Sequence, residues 1–582
     1  MNPFALAYRE QQQLFLFEKT YVLGTFLKVG GLATLLARFI VQFFWSPALA
    51  FALTLVLLIL SAYMTWAYVR DSWKDWALIP LCAVPSVLIG ASLSDNSLHY
   101  EFLTSIILVQ AGLLIYKKAS SAKVFWGVVL AVMLYLTAGS AAILFAVCAF
   151  FERRPVVRQA HQPETKAHQL VPEPVEGRGW KTDLVRAVIF LAAVAVSGVA
   201  AYLLSWVPTW TVAFTPAAYF DLDADLPAAH WAGWISLPVI MLICRMVARP
   251  RSGKWIAVVG GMVLLFLAII YARKFENKMD QEEPRLAYIF EHYACNEDWD
   301  GLIKACEKAP WLPRTANYLN LALSWKGELA ERLLDYDQRG PSALVMTTKD
   351  RAVDVIQAHL MLAMGNVAAA QDVAFNTIAS LNGYCPAMVK INAQVELMRG
   401  SYEVADKYIT LLEKAPHYRR WARSRRRFLY DDAAIEADPL LGNGRRNLAA
   451  ENHFIMYSNP MSELFPILDA NPTYKQTLEY GLCYLLLAKD LNSVKHYITD
   501  FYSSPDSPEL PRIAQEAMVF YSEFSRNMDN VEPFGLDWCY EHGVQPEVVK
   551  RFEEYQKAAV AGNTALRRFR HTYWYYLVHT EI

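Results

Sequence analysis

The 582-residue sequence has few cysteines, few charged residues and no excess charge of either sign. Eight cysteines without close spacing exclude a small disulfide-stapled scaffold. A formal net charge of -1 gives no global electrostatic argument for nucleic acid, and none is expected as a partner. Charged residues make up 19% of the chain and hydrophobic residues 55%, whereas soluble domains average about 25% and about 45–50%. The composition therefore indicates a shift toward a lipid environment.

The sequence also lacks the short motifs that mark common catalytic sites. It contains no phosphate-binding Walker loop, no HExxH zinc motif, no CxxC pair and no nucleophile elbow. We predict neither a cofactor nor a metal site, because His161 and His168 lie in a proline-broken segment that gives two ligands no fixed geometry. Whether the chain is an enzyme stays open at this level.

Long hydrophobic runs are concentrated before residue 273. A bilayer core needs about 20 apolar residues of helix, and we predict seven spans on that basis. They are Ser46–Tyr68, Ala77–Leu93, Leu98–Tyr116, Lys123–Phe151, Leu184–Val207, Trp231–Ala248 and Trp255–Ala272. The fourth contains the small-residue break Thr137–Ser140, so it is either one tilted helix or two half-helices meeting in the membrane. The lipid bilayer is the first predicted partner.

This pattern divides the chain into three segments. Residues 1–45 form an N-terminal segment in which Ala33–Trp45 is an interfacial or re-entrant helix, because Arg38 would be costly at mid-bilayer. An extra span is the alternative there. Residues 46–272 form the transmembrane domain, and residues 273–582 form a water-soluble domain. The proline-rich loop 155–179 is expected to be disordered and resembles an insertion.

Basic residues in the loops predict an orientation. The loop around 155–179 is rich in Lys and Arg and is expected in the cytoplasm. The loop 208–230 has no Lys or Arg, carries Asp221, Asp223 and Asp225, and is expected outside the cytoplasm. The domain 273–582 would then lie on the periplasmic side of an inner membrane. Lys117, Lys118 and Lys123 conflict with this orientation unless the fourth span is two half-helices. Arg273 and Lys274, directly after the last span, also conflict with it.

From Glu282 onward, pairs of helices alternate with short turns. Gly327, Gly365 and Gly400 follow one another at intervals of 38 and 35 residues, and each is placed to end the preceding helix in a left-handed cap. This period is close to the roughly 34 residues of tetratricopeptide repeats, here degenerate. We therefore predict an all-α fold in which a polytopic transmembrane helical bundle precedes a tetratricopeptide-like α-solenoid.

Several stretches of the chain carry a family resemblance. They are Gly30–Ala33 followed by Phe39–Phe44, then Asn317–Leu323, Gly327–Pro341 and Thr572–Tyr576. These stretches resemble an uncharacterised bacterial membrane family, the domain-of-unknown-function family 6057, over nearly the whole chain except the loop 155–179. Members often carry one more span before the Gly-Gly pair, so the start of this chain is expected to be short. The resemblance implies an integral membrane protein with a helical C-terminal half and implies no reaction.

The turn between the second and third predicted spans is a weak candidate for a catalytic site. This polar turn, Asp95–Glu101, contains two carboxylates that could flank one site, with His99 as the acid or base. Multi-spanning glycosyltransferases use acidic residues at a membrane surface in this way. The alternative, which we favour, is a turn whose Asp95 and Asn96 simply cap the adjoining helices.

A run of arginines in the C-terminal half is a candidate binding site. His417–Phe428 holds six arginines, and the weak candidates for binding are Arg419, Arg420, Arg423, Arg426 and Arg427. Arginines three and four residues apart share a helix face and could bind lipid headgroups or an acidic partner. A solvated face that pairs with Asp431, Asp432 and Glu436 is an equally good interpretation.

Two functions follow from these patterns. The favoured one is a membrane-anchored helical-repeat scaffold that holds a protein or peptide partner at the cell envelope. The alternative is a lipid-linked sugar or glycan transferase with its site in the membrane half. Fold-level analogy supports the alternative only weakly.

Overall fold

The computed structural model describes most of the chain and is all-helical there, as predicted. The described residues are 2–70, 75–119, 122–152, 179–220, 226–247, 254–279, 281–346, 354–380, 385–448, 460–525, 534–561 and 563–581. Nearly all of the loop 155–179, including His161 and His168, and the aspartates at 221, 223 and 225 lie outside them. The chain divides into two compact units, Met1–Arg285 and Leu286–Ile582. The predicted boundary at residue 272 falls inside a helix.

The first unit is a bundle of helices. They are α1 (Pro3–Tyr8), α2 (Lys19–Phe26), α3 (Gly31–Val41), α4 (Pro47–Val69), α5 (Ile79–Ser92), α6 (Glu101–Lys118), α7 (Lys123–Ala138), α8 (Ala142–Ala149), α9 (Gly179–Leu203), α10 (Trp210–Phe214), α11 (Ala228–Val247) and α12 (Lys254–Met279). Aromatic and aliphatic side chains from most of these helices meet in one continuous core.

Six segments of this unit are long and apolar enough to cross a bilayer. They are Pro47–Val69, Asp75–Ser92, Lys123–Ala149, Lys181–Leu203, Ala228–Val247 and Trp255–Met279. This arrangement is compatible with a multi-pass membrane protein. The seventh predicted span corresponds to α6, which is not among the six because it carries Glu101, Lys117 and Lys118. The helix α3 has 11 residues and is too short for the extra span considered for the N-terminal segment.

The segment Lys123–Ala149 is not one straight helix. Gly139 adopts φ 67° and ends α7, and α8 then runs back, so that the Lys123 ammonium bonds the Glu152 carboxylate. Tyr219 holds the reversal by donating to the Ala138 carbonyl and accepting from the Ala141 N–H. This geometry matches the alternative of two half-helices, because the two ends of the segment meet at the same end of the bundle.

The basic ends of several helices lie together at one end of this unit. Lys117, at the end of α6, donates to backbone carbonyls at the end of α4. Arg245, in the last turn of α11, donates to the Phe150 carbonyl and lies 3.7 Å from Asp183 near the start of α9. Lys117 and Lys123 therefore lie at the same end of the first unit as Arg245, as the alternative of two half-helices requires.

The second unit is a series of helices joined by short turns. They are α13 (Glu282–Cys295, which begins in the first unit), α14 (Trp299–Glu307), α15 (Pro313–Lys326), α16 (Leu329–Arg332), α17 (Asp354–Ala363), α18 (Val367–Ser380), α19 (Pro386–Arg399), α20 (Tyr402–Glu413), α21 (Arg419–Arg426), α22 (Asp432–Ala437), α23 (Pro439–Asn447), α24 (Pro460–Ala470), α25 (Lys475–Leu487), α26 (Leu491–Phe501), α27 (Arg512–Phe524), α28 (Leu536–Glu541), α29 (Pro546–Ala561), α30 (Asn563–Leu566) and α31 (Tyr573–His579). Gly327, Gly365 and Gly400 have φ of 68°, 84° and 74°, which confirms the predicted left-handed caps.

Consecutive helices of this unit pack as inner and outer members of pairs. The inner helices α15, α17, α19, α25 and α27 are buried around nearly their whole circumference. Outer helices such as α14, α20 and α26 bury residues three and four apart and expose the rest, which is the amphipathic pattern of a surface helix. Among the described residues of this unit, the inner helices are covered and present no open groove to a partner.

The helix α31 closes this packing. Tyr573 and Tyr576 each donate a 2.8 Å hydrogen bond to a carbonyl at the end of α25, at Leu486 and Leu487. Trp574 is fully buried, and its indole N–H donates to the Glu516 carbonyl at 2.6 Å. The aromatic run Thr572–Tyr576 is therefore a structural element that joins α25, α27 and α29.

Candidate functional site

The polar turn is held by a buried arginine from the start of the chain. Arg9 is 2% exposed, and its guanidinium donates to the carbonyls of Asp95 at 2.8 Å, Leu93 at 2.9 Å and Leu98. On another side, the His99 backbone N–H donates to the Tyr219 carbonyl at 2.7 Å. The turn is thus fixed by contacts from two distant segments of the first unit.

The two carboxylates of the polar turn face different partners. One Asp95 oxygen accepts from the Ser97 N–H at 3.0 Å, and the other lies 3.6 Å from the Nε2 atom of His230, which is 0% exposed. Glu101 is buried and lies 3.9 Å from the Arg38 guanidinium. Each acid therefore has its own basic neighbour, and the end of the bundle holds a network of buried ionisable side chains.

Sequence reasoning missed three members of this network. Arg9 was not singled out, Arg38 served only to argue for an interfacial helix, and His230 was not considered. A usable signal exists for all three, since an ionisable residue inside an apolar segment is costly and needs a partner. The partner itself lies far away along the chain, since Asp95 and His230 are 135 residues apart.

We predict that Arg9→Met destabilises the first unit. The substitution leaves two carbonyls of the polar turn, and that of Leu93 just before it, without their donor, and we expect a loss of about 2–4 kcal/mol in unfolding free energy. Thermal unfolding of the full chain in detergent measures the effect. Arg273→Met is the matched control, because that side chain is 74% exposed. Equal melting temperatures for the two variants would contradict the structural role of Arg9.

The arginine run forms the short helix α21, and its partners differ from the predicted ones. Arg426 binds Asp406 at 2.8 Å and Glu413 at 2.9 Å, because α20 packs against α21. The predicted acidic partners lie elsewhere: Asp432 pairs with Arg445 and Glu436 with Arg446. The interpretation of Arg426 as part of a solvated, paired face is thus supported with corrected partners.

The other candidate arginines in or directly after α21 differ in their contacts and exposure. Arg419 donates to the Glu413 carbonyl at 3.0 Å, and the Arg427 guanidinium lies 4.6 Å from the centre of the Phe428 ring. Arg420 and Arg423 are exposed. Binding of a headgroup or an acidic partner at this helix stays a prediction, and Arg420 and Arg423 are the side chains best placed for it.

The second unit also contains a buried ionisable cluster. The Lys390 ammonium donates to the Glu297 carboxylate at 2.6 Å. His359 packs edge-on against Trp299 with ring centres 6.1 Å apart. Burial lowers the pKa of His359 to about 4, although the nearby Glu297 acts in the opposite direction. This histidine is therefore neutral at physiological pH.

A cavity of about 600 Å³ opens in the second unit. We call it the charged pocket. Its carboxylates are Glu331, Glu479, Glu509, Glu516 and Glu547. Its cationic side chains are Lys475, Arg512 and Arg551. Because these residues come from α16, α25, α27, α29 and the segment before α27, the pocket exists only when the helix pairs are stacked.

Two of these carboxylates form the wall of the charged pocket. Glu479 lies 3.3 Å from Lys475, and Glu516 lies 3.1 Å from Arg512 while accepting a 2.7 Å hydrogen bond from the Tyr573 N–H. Burial raises the pKa of Glu479 and raises that of Glu516 to about 7. Within the part of the chain that the structure describes, no group of three or more His, Cys, Asp or Glu side chains is arranged to hold a metal.

Comparison with known proteins identifies a family. The model of a family of unknown function, DUF6057, matches residues 1–163 and 176–580. The chain belongs to DUF6057. No curated protein and no solved structure matches it.

The DUF6057 match leaves out part of the proline-rich loop. The gap between the two matched ranges falls inside the proline-rich loop 155–179, where the sequence predicted an insertion. The polar turn, Arg9, the charged pocket and α31 all lie within the matched ranges. They are therefore features of the DUF6057 part of the chain and lie outside the unmatched segment.

Proposed function

We propose that this DUF6057 protein is a membrane-anchored helical-repeat scaffold whose second unit binds a protein or peptide partner. The observation that carries the proposal is the charged pocket. Its volume of about 600 Å³ lies within the range of roughly 300–1,000 Å³ typical of ligand sites. A pocket assembled from several stacked helices is pre-formed, so a ligand does not have to order it on binding.

The packing of the second unit supports a binding role at helix ends. Helix pairs with glycine caps are the building blocks of tetratricopeptide-like solenoids, which bind partners without catalysis of their own. The inner helices are covered in this chain. The partner would therefore bind at the charged pocket, where the first turns of α25, α27 and α29 meet, and not along a concave groove.

The first unit supports membrane anchoring with a defined orientation. Its six apolar segments have the length and composition of spans, although Lys123–Ala149 turns back at Gly139. Lys117, Lys123 and Arg245 share one end of the bundle, and basic loops favour the cytoplasm. With that end in the cytoplasm of a bacterial cell, α12 would deliver the chain to the periplasmic side of the inner membrane.

Site-specific photo-crosslinking in cells tests the scaffold function. A photoreactive residue at Gln545, an exposed position lining the charged pocket, should give one discrete adduct with a partner polypeptide. The matched control is Val404, which is exposed on α20, away from the residues that line the pocket. Failure to form an adduct at Gln545, or the same adducts from both positions, would overturn the proposal.

The buried charges at the polar turn favour a second candidate function. Asp95, Glu101 and His230 lie at one end of the apolar bundle, where ionisable residues usually mark a functional site. A lipid-linked sugar or glycan transferase with its site there would lose activity in both Asp95→Asn and Glu101→Gln. Both variants keep the side-chain shape, and a scaffold would retain its Gln545 crosslink in each.

A further inference from the structure

Acidic side chains outnumber basic ones in the lining of the charged pocket. Five carboxylates and three cationic side chains line it, which leaves an excess of two negative charges when all are ionised and of one when Glu516, with a pKa of about 7, is protonated. The chain as a whole has a formal net charge of only -1. The pocket is therefore a local concentration of negative charge within a nearly neutral protein.

Ion pairs within the lining of the pocket involve two of its three cationic side chains. Lys475 and Arg512 are each paired with a buried carboxylate of their own helix, one turn further on. Glu331, Glu509 and Glu547, in contrast, are exposed and come from three separate segments. An incoming ligand thus finds three water-accessible carboxylates beside Lys475 and Arg512, whose side chains are 50% and 53% exposed but already paired.

The rest of the lining accommodates an aliphatic stem. Leu510, Pro511 and Val548 contribute apolar surface to the pocket. Lysine and arginine bury their methylene groups along such surface while the charged head reaches polar groups. The lining therefore combines the two features that a basic side chain requires, an apolar wall and nearby carboxylates.

An anionic ligand fits this site less well. The first turns of α25, α27 and α29 line the cavity, and the N-terminus of a helix attracts an anion through its dipole. Glu479, Glu516 and Glu547 lie near those helix starts and oppose that attraction. The local charge favours a cation over a phosphate or a carboxylate.

From this geometry we infer that the charged pocket binds a lysine- or arginine-bearing segment of polypeptide. The inference rests on the proposed scaffold function and names the chemistry of its partner. A polypeptide matches the pocket better than a single small amine, because the cavity of about 600 Å³ has acidic groups on three separate segments around it. Basic side chains of one extended segment can reach several of these carboxylates together.

A peptide-binding measurement on the full chain in detergent tests the inference. The probe is fluorescent pentalysine, followed by anisotropy at low and at physiological ionic strength. Each exposed ion pair contributes a factor of about 1.4 to 5 in affinity, so the triple variant Glu331→Gln, Glu509→Gln, Glu547→Gln should bind about tenfold more weakly. Added salt should weaken wild-type binding as well.

A matched triple variant separates the pocket from the overall charge. Glu403→Gln, Asp469→Asn and Glu541→Gln remove three exposed carboxylates of the same unit that do not line the pocket. This control should bind pentalysine as the wild type does. Equal binding by the pocket variant and the wild type, equal loss in both triple variants, or tighter binding of pentaglutamate would overturn the inference. Full competition by spermidine at pentalysine's own concentration would also overturn it, in favour of a small-amine site.

The outcome is distinguishable from failure of the scaffold function itself. A discrete crosslink at Gln545 together with no preference for pentalysine would retain the scaffold and reject a basic partner. Pentalysine binding that depends on the three pocket carboxylates, together with a crosslink at Gln545, supports both. Absence of both signals rejects both.

Discussion

Trp574→Ala should lower the free energy of unfolding of the second unit by about 3–5 kcal/mol. Trp574 is 0% exposed and packs against Phe552 and Tyr555, with ring centres 5.1 Å and 5.6 Å away. Its indole N–H also donates to the Glu516 carbonyl, so the substitution creates a cavity and leaves a buried acceptor without its donor. Thermal unfolding of the full chain in detergent, with proteolysis of the second unit as the readout, measures the loss.

A control on the same helix makes this prediction specific. Val578 lies on α31 and is 56% exposed, so Val578→Ala should change the unfolding free energy by less than about 0.5 kcal/mol. If Trp574→Ala were as stable as Val578→Ala, α31 would not close the second unit, and the arrangement of α25, α27 and α29 around it would be wrong.

Acidification should destabilise the second unit through His359. This residue is 6% exposed, and neither ring nitrogen has a hydrogen-bond partner among the described residues. Burial lowers its pKa to about 4, whereas the unfolded chain binds the proton near pH 6.5. The stability contributed by neutral His359 is therefore complete above pH 6.5 and is lost as the pH falls toward 4, by on the order of 3 kcal/mol in total.

The measurement compares His359→Leu with the wild type at each pH. Burial raises the pKa of Glu516 to about 7, and this carboxyl stabilises the folded state on acidification, in the opposite sense to His359. When the pH falls from 7 to 5, the free energy of unfolding of His359→Leu should therefore decrease by about 2 kcal/mol less than that of the wild type. His496→Leu, at an exposed position, should follow the wild type. Parallel curves for His359→Leu and the wild type would refute the assignment.

Local chemistry made some elements predictable from the sequence. The left-handed caps at Gly327, Gly365 and Gly400 follow from residue type and spacing alone. The apolar segments follow from length and hydropathy, except that charge at the ends of α6 reduces the number from seven to six. The length and hydropathy of Lys123–Phe151 fit one long helix or two short ones, so the sequence alone left both alternatives open. The contact of Lys123 with Glu152 shows that the segment reverses at Gly139.

Long-range pairing explains what the sequence did not reveal. Nearness along the chain predicted Asp432 and Glu436 as partners for the arginine run, but packing of α20 brings Asp406 and Glu413 to Arg426 instead. The contacts of Arg9 with the polar turn span 84 to 89 residues. The charged pocket draws on residues from Glu331 to Arg551. Patterns within single segments do not predict such contacts between residues far apart in the sequence.

Paired reporter fusions test the central proposal most directly, namely that the first unit spans a membrane and that the second unit lies on the side opposite the basic loops. Alkaline phosphatase and green fluorescent protein would be fused after Lys274, after the C-terminus, and within the unmatched residues 164–175. The account predicts active phosphatase at the first two positions and fluorescence at the third. Fluorescence at all three positions, with the chain in the soluble fraction, would contradict it.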